Sequence, residues 1–110
     1  MISDDDVERA VEWLTRNAEP AAKARAERLY LEAWVKVVLA QQMREHSELP
    51  VAAQDREARV SAPYLAALDA LRTAVEVDEK ARWLREAADA KIEAWRTMES
   101  TRRAEGRATS

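Results

Sequence analysis

The sequence predicts an all-α protein, and two features of its composition support this prediction. Only one Gly and three Pro occur among 110 residues, whereas a β-rich chain of this length needs turn residues at many positions. Ala, Leu, Glu and Arg, which favour helices, are abundant. Without any Cys, the chain has no disulfide framework and no thiolate metal site. We therefore expect an elongated helical hairpin or bundle, with a long C-terminal helix and a shorter N-terminal helix.

The first helix is predicted to begin after Ser3, whose hydroxyl can cap the exposed amides of a helix start. The acids at positions 4–6 suit the positive end of the helix dipole. The helix is expected to run to about Ala18 and to be stopped by Pro20, which suits the first turn of a following helix. One apolar stripe follows helical spacing, with Trp13 at its border: Val7, Ala10, Val11, Leu14 and Ala18.

A second helix is predicted from residue 21 to about residue 46. Its centre, residues 29–40, is apolar on most of its circumference and must be covered on two sides. Leu49 and Pro50 should end the helix, because a residue before Pro avoids helical dihedral angles. A single charged row is expected to mark its solvent face: Arg28, Glu32 and Lys36.

Two further helices are predicted. A short one should span Val51 to about Arg59, and Ser61 can cap the next, which tolerates Pro63 in its first turn. This last helix is expected to run from Ala62 to about Ala104, roughly 60 Å at 1.5 Å per residue. Its core-facing stripe, interrupted near Asp78 where a bend or register shift is expected, comprises Tyr64, Leu68, Leu71, Val75, Ala81, Leu84, Ala88, Ile92, Trp95 and Met98.

Length and geometry predict one domain that associates with itself. Residues 1–104 are interpreted as a single helical domain and residues 105–110 as a flexible tail. The second helix can cover the last one only to about residue 90. The apolar residues beyond that point need cover either from the first helix or from a second protomer, and a homodimer is favoured.

Charge is unevenly distributed between the two ends of the chain. Residues 1–19 carry six acids and two bases, a net charge of −4, whereas residues 80–110 carry eight bases and five acids, a net charge of +3. The two segments are expected to lie side by side. Exposed ion pairs contribute only about 0–1 kcal/mol each, so they would select orientation more than supply stability.

The residues that carry catalytic chemistry are scarce. His46 is the single histidine, and a carboxylate-bridged metal centre in a helical bundle needs two. No glycine-rich phosphate loop or zinc motif is present, so we expect no enzyme activity, no cofactor and no metal site. Three acids on the last helix, Glu86, Asp89 and Glu93, alternate with bases and are interpreted as a solvated face. The acidic start and the absence of a 20-residue apolar run predict a cytoplasmic protein without membrane association.

Four Trp in the absence of Phe are the most unusual feature of the composition. Trp34 and Trp95 lie on apolar stripes and are predicted to be core residues, whereas Trp83 lies beside a stripe and is predicted to contact a partner. Trp95 followed by several Arg also resembles the aromatic and basic combination that holds single-stranded nucleic acid. The candidate contact residues for a protein partner or nucleic acid are Trp83, Trp95, Arg96, Arg102, Arg103 and Arg107.

The stretch from the sequence LPVAAQ at residues 49–54 through IEAWR at residues 92–96 resembles short uncharacterised helical proteins encoded by tailed bacteriophages and prophages. The resemblance covers about the last two thirds of the chain and brings no catalytic residues with it. It implies a phage-encoded protein of the host bacterial cytoplasm, whose gene lies near genes for DNA recombination or among genes that counter host defence.

These observations predict a non-enzymatic, dimeric helical protein that binds a protein partner and modulates DNA metabolism or host defence. The alternative is an accessory protein that binds single-stranded nucleic acid through its basic C-terminal end. A third hypothesis, an enzyme built on acidic residues, requires carboxylates that face inward and have raised pKa values.

Overall fold

The structure is a computed structural model that describes residues 1–109. Within this range the chain forms three helices, α1 (Asp4–Arg44), α2 (Val51–Arg59) and α3 (Ala62–Thr109), and no strand. The all-α prediction is confirmed, and the C-terminal helix of 48 residues is longer than the N-terminal helix of 41. No helix among the described residues combines the length and the apolarity needed to cross a membrane.

The predicted helix break at Pro20 is wrong, because α1 continues through this residue. Proline removes one N–H and disfavours the helix, usually by about 3 kcal/mol in an interior. Pro20 deprives the carbonyl of Arg16 of its helical partner, but both residues are exposed and water can hydrate that carbonyl. The two helices predicted over residues 4–46 are therefore one.

The boundaries of the other helices follow the sequence closely. α2 has the predicted bounds, and α1 ends at Arg44, two residues before the predicted end. α3 extends five residues beyond its predicted end at Ala104, to Thr109. The flexibility predicted for residues 105–110 stays a prediction, and its last residue lies outside the described range.

Contacts within the chain define two compact units. Unit 1 contains Met1–Ala21 and the part of α3 that begins at Lys80, whereas unit 2 is Ala22–Glu79. The prediction that residues 1–104 form a single domain stays a prediction.

Unit 2 is a helical hairpin closed by a small core. Val38 of α1 packs with Tyr64 and Ala67 of α3, and all three are at most 7% exposed. Val35 and Leu39 pack against this cluster from one and the same helix. Because Arg28 reaches Asp78 while Val38 meets Ala67, the two helices run antiparallel within this unit.

Polar contacts fix the start of α2 and the start of α3. The side-chain amide of Gln54 donates to the carbonyl of Leu49 at 2.8 Å and holds the preceding turn. The hydroxyl of Ser61 accepts a hydrogen bond from the Tyr64 N–H at 3.4 Å and donates to the Ala58 carbonyl at 2.7 Å. The predicted cap at Ser61 is confirmed.

Asp78 lies within a continuous helix, and the bend or register shift predicted near it stays a prediction. Its side chain is 17% exposed and accepts a hydrogen bond from Arg28 at 3.2 Å, and Arg28 also binds Glu79 at 3.1 Å and Glu32 at 3.1 Å. These carboxylates, Glu32 first and Glu79 next, raise the pKa of Arg28. Arg28 was assigned to the solvent face of α1, but it joins α1 to α3 within unit 2.

In unit 1, α1 and α3 run antiparallel, and each helix buries one alanine. Ala10 of α1 and Ala88 of α3 are each 6% exposed, and within the described part of this unit they are its only buried residues. The predicted cap at Ser3 is confirmed, since its hydroxyl accepts from the Asp6 N–H at 3.2 Å while the Asp6 carboxylate accepts from the Ser3 N–H at 2.9 Å. The acidic N-terminal and basic C-terminal segments lie in the same unit, as the charge distribution predicts.

Three large residues of the core stripes predicted on the first and last helices are exposed. Leu68 is 38% exposed, Leu84 is 43% and Val11 is 47%. The buried strip of each helix is narrow, because five of the seven buried hydrophobic residues are alanines and the larger side chains at the stripe edges stay outside. Leu84 additionally borders an open cavity in unit 1.

Candidate interaction site

The six predicted contact residues all lie in the unit 1 part of α3, but they do not form one site. Trp83 precedes Trp95 by 12 residues, which is about 18 Å along a helix, and the two side chains are about 120° apart around its axis. Trp83 is 62% exposed, with the Arg82 guanidinium 5.8 Å from its ring centroid. The ring is therefore presented to solvent, as predicted for a partner contact.

Trp95 is half-buried and held in place by α1. Its indole N–H donates to a carboxylate oxygen of Asp4 at 2.7 Å. Ile92 and Met98, one turn to either side, are also half-buried. Of the two sources of cover that the sequence leaves open for these residues, the N-terminal part of α1 supplies that of Trp95.

The C-terminal arginines are distributed between two sides of α3. Trp95, Arg96 and Arg103 line an open depression of about 480 Å³ together with Glu99 and Ser100. Arg96 pairs with Glu93 at 3.4 Å and Arg102 with Glu99 at 2.9 Å, although each arginine side chain stays more than half exposed. Acids thus neutralise part of the basic character that the sequence suggests.

Arg107, the last of the predicted contact residues, lies in the final turn of α3 and is exposed. It follows Arg103 by four residues, so both lie on one side of the helix. A cation in this position also complements the negative helix C-terminus.

Acidic clusters form no inward-facing site in the described chain. Glu86, Asp89 and Glu93 are all exposed, as expected for a solvated face. Residues 1–109 contain no group of three or more His, Asp or Glu side chains placed to hold a metal ion. His46 lies 3.9 Å from Glu48 in the turn after α1.

An open cavity of about 310 Å³ lies between the two helices of unit 1. At its edge, the Ser3 backbone N–H, then the Ser3 hydroxyl, and then Arg9 hold the pKa of Asp6 at about 2, below its ordinary value of 3.8. Arg9 approaches the Asp6 carboxylate at 2.6 Å. The cavity is lined by Asp6, Arg9, Ala10, Trp13, Leu84, Ala87, Ala88 and Lys91.

The largest concentration of exposed apolar side chains lies on α1 in unit 2. Leu29, Tyr30, Trp34 and Val37 are 50%, 61%, 37% and 45% exposed. Tyr30 and Trp34 stack, with ring centroids 6.4 Å apart and planes within 7°. The prediction that Trp34 belongs to the core is wrong: the core of unit 2 uses Val38, one turn further along α1, and Trp34 lies at the edge of that side and stays 37% exposed.

These residues belong to a regular pattern. Five exposed, uncharged residues recur at intervals of four, three, four and three, which is the average spacing of 3.5 residues found in coiled coils. Leu29 and Trp34 flank them. We call this set the α1 seam; it comprises Ala26, Tyr30, Ala33, Val37 and Ala40.

A second exposed pattern with the same spacing lies on α3 in unit 1. It begins at Trp83 and otherwise contains only Ala and Thr. The hydroxyls of Thr97 and Thr101 donate to carbonyls of their own helix, those of Glu93 and Thr97, so they are satisfied locally. We call this set the α3 stripe; it comprises Trp83, Ala87, Ala90, Ala94, Thr97, Thr101 and Ala104.

Sequence reasoning recognised part of this surface. The sequence predicts that residues 29–40 are apolar on most of the helix circumference and need cover on two sides, but the predicted contact residues all lie elsewhere. The spacing of Ala26, Ala33 and Ala40 by seven was the available signal, and it is visible in the sequence. Only the position of Val38 and Arg28 against α3 shows that this spacing falls on the open side.

No protein family, curated protein or solved structure matches this chain.

Proposed function

We propose that this chain is a non-enzymatic, phage-type helical protein that binds a protein partner and thereby modulates DNA metabolism or host defence. One observation carries the proposal: thirteen large hydrophobic side chains of the described chain are exposed, whereas five of its seven buried hydrophobic residues are alanines. Where such side chains are adjacent, as Leu29, Tyr30, Trp34 and Val37 are on α1, they mark a site of protein association. Catalysis is given no role, since the candidate carboxylates all face solvent.

Trp83 is the residue on which we place the partner contact. Tryptophan is enriched among residues that dominate binding energy, and this one is 62% exposed at the head of the uncharged α3 stripe. The alanines that follow it let another helix approach closely. The partner that fits this surface is a protein that presents an apolar helix.

The biological setting of the proposal rests on the resemblance to phage and prophage proteins. It supports the bacterial cytoplasm as the location. DNA recombination and inhibition of host defence are the two processes in which such a partner would be found. The exposed apolar surface of α1 further supports self-association as a homodimer.

The partner is tested by capture from a bacterial host lysate, followed by binding measurements with the purified partner. Wild type is compared with Trp83→Ala and with the matched control Arg85→Ala, which truncates another exposed side chain two residues away. We expect Trp83→Ala to weaken binding by about tenfold or more and Arg85→Ala to leave it nearly unchanged. Equal binding by all three proteins would remove Trp83 from the proposal, and no specific partner would remove the proposal itself.

The alternative function, binding of single-stranded nucleic acid, is favoured by one observation. Trp95, Arg96 and Arg103 line the same depression, which offers a ring beside two cations. The Trp95 N–H is already occupied by Asp4, however, and Arg96 is paired with Glu93, so the protein partner is the better supported proposal.

A gel shift with single-stranded DNA at increasing salt distinguishes the two functions. If the alternative holds, binding falls steeply with salt and weakens in the double variant Arg102→Ala, Arg103→Ala. Absence of binding at low salt eliminates it. The double variant should then still bind the protein partner like wild type.

A further inference from the structure

We infer that the α1 seam is the interface of a homodimer in which the two α1 helices pack antiparallel about a two-fold axis. The inference rests on the self-association included in the proposed function and assigns its surface and direction. Its starting point is that all five seam residues are exposed and uncharged, and that they lie on the side of α1 turned away from the core of unit 2.

Spacing and size make the seam suitable for another helix. Residues repeating every 3.5 positions keep one side of a helix in register with a partner helix and insert as knobs into its holes. Small residues, Ala26, Ala33 and Ala40, alternate with the larger Tyr30 and Val37. Such alternation permits close packing when small faces large across the interface.

A small seam residue lies opposite a large one only if α1 of the second copy runs in the opposite direction. With the two-fold axis midway between residues 33 and 37, Ala33 lies opposite Val37 of the second copy, and Tyr30 lies opposite Ala40. In a parallel pair every residue meets its own counterpart, so bulky Tyr30 layers would alternate with voids between alanines. Complementarity therefore selects both the partner, a second copy, and its direction.

Charged residues mark the two ends of the seam. Its spacing continues to Lys23, three residues before Ala26, and to Arg44, four residues after Ala40. In the same register Arg44 of the second copy lies opposite Ala26, within one turn of both Lys23 and Glu27, so the charges at each end largely offset one another. The uncharged interface therefore ends at these positions.

The area is sufficient for a specific, reversible dimer. The seam and its flanking residues Leu29 and Trp34 present on the order of 500 Å² per copy, and a pair would bury about 1,000 Å², the lower limit of a specific interface. Burial would also enclose the stacked rings of Tyr30 and Trp34. Both rings are among the exposed apolar side chains of unit 2.

Sedimentation equilibrium of the purified full chain tests the interface. Wild type should have the mass of two copies, and Ala33→Glu should raise the dissociation constant by about tenfold or more, because each dimer would bury two unpaired carboxylates. Ala70→Glu is the matched control: it makes the same substitution at an exposed alanine of α3 in unit 2 and should leave the dimer unchanged. Circular dichroism checks that both variants keep their helices.

The outcomes separate this inference from the proposed function. A monomeric wild type overturns self-association altogether. A dimeric wild type with an equally dimeric Ala33→Glu overturns the seam but leaves self-association standing. Partner binding through Trp83 is measured independently and is unaffected by either result.

Direction is tested by cross-linking, since the chain has no cysteine of its own. Tyr30→Cys and Ala40→Cys proteins are mixed and oxidised. An antiparallel pair brings position 30 beside position 40 of the second copy but keeps the two copies of position 30 about 15 Å apart along the axis, beyond the roughly 7 Å Cα limit for a disulfide. Mixed disulfides support the arrangement, whereas disulfides between identical variants, formed without mixing, overturn it.

Discussion

Units 1 and 2 are both built from long antiparallel helices, but they are held together differently. Unit 2 buries Val38 and Tyr64 as well as three alanines, whereas the described part of unit 1 buries only Ala10 and Ala88 and retains an open cavity of about 310 Å³. Unit 1 adds polar contacts at its end, including the hydrogen bond from Trp95 to Asp4. Similar amphipathic helices are therefore joined by larger buried side chains in unit 2 and by two buried alanines plus polar contacts in unit 1.

Tyr64 is the largest buried side chain of unit 2. Tyr64→Ala should lower the free energy of unfolding by about 3–5 kcal/mol, because it removes a ring packed on Val38 and Ala67. Urea unfolding followed by circular dichroism measures the effect. Tyr30→Ala, an exposed tyrosine truncated in the same way, should change stability by less than about 1 kcal/mol at concentrations where the protein is monomeric. Similar losses in both variants would contradict the assignment of the core.

The difference in packing between the units can be measured by enlarging one buried alanine in each. Ala58 in unit 2 is 0% exposed, and Ala58→Leu should destabilise by about 1–3 kcal/mol because there is no room for the added methylenes. Ala88 in unit 1 borders the cavity, so Ala88→Leu should cost clearly less. Thermal unfolding of both variants decides the point. A larger loss at Ala88 would mean that the cavity cannot accept a side chain.

Capping at the start of α1 contributes a smaller share of stability. Ser3→Ala removes the acceptor of the Asp6 N–H and should lower the free energy of unfolding by about 1 kcal/mol. Ser47→Ala, at an exposed turn position, is the control and should have an effect within about 0.5 kcal/mol. Equal stability of the two variants in urea unfolding would show that the cap is not formed in solution.

The smallest expected effect is a pH dependence that originates in the same cap. Because the pKa of Asp6 is lowered to about 2 from an ordinary value of 3.8, its stabilising contribution is complete above the ordinary value and is lost as the pH falls from about 4 to 2. The melting temperature of wild type should exceed that of Asp6→Asn at pH 7, and the difference should disappear near pH 2. Asp5→Asn removes the same charge without removing the hydrogen bonds from Ser3, so its difference from wild type at pH 7 should be smaller.

Features of the structure that depend on local interactions, such as most helix ends, could be predicted from the sequence. Ser3, Ser61 and the Leu49–Pro50 pair mark helix ends correctly, since capping and the restriction before proline act within one turn. The same reasoning predicts a helix end at Pro20, which is wrong. The proline leaves the carbonyl four residues before it without a helical partner, but the free-energy cost is small enough for a 41-residue helix to continue.

The sequence predicts that the candidate site is an apolar contact surface, but it identifies only some of the residues that form it. Trp83 is exposed as expected, but Trp34 is also exposed, because a helix that is apolar on most of its circumference does not reveal which side its neighbour covers. For Arg28 the error has the opposite sign. The sequence places it at the start of a charged row that is predicted to face solvent, and only the position of Asp78 and Glu79 shows that its side chain points toward α3.

The sequence alone determined the helical class of this protein, the positions of most helix ends and the surplus of apolar surface, because composition, caps and periodicity are local properties of the chain. The tertiary structure decided which side of α1 packs on α3, and therefore that Tyr30, Trp34 and Val37 stay exposed. That choice depends on contacts such as Val38 with Tyr64 and Arg28 with Asp78, which join residues far apart in sequence. Periodicity cannot specify them, since it records the spacing of residues on one helix and not the neighbour that each side meets.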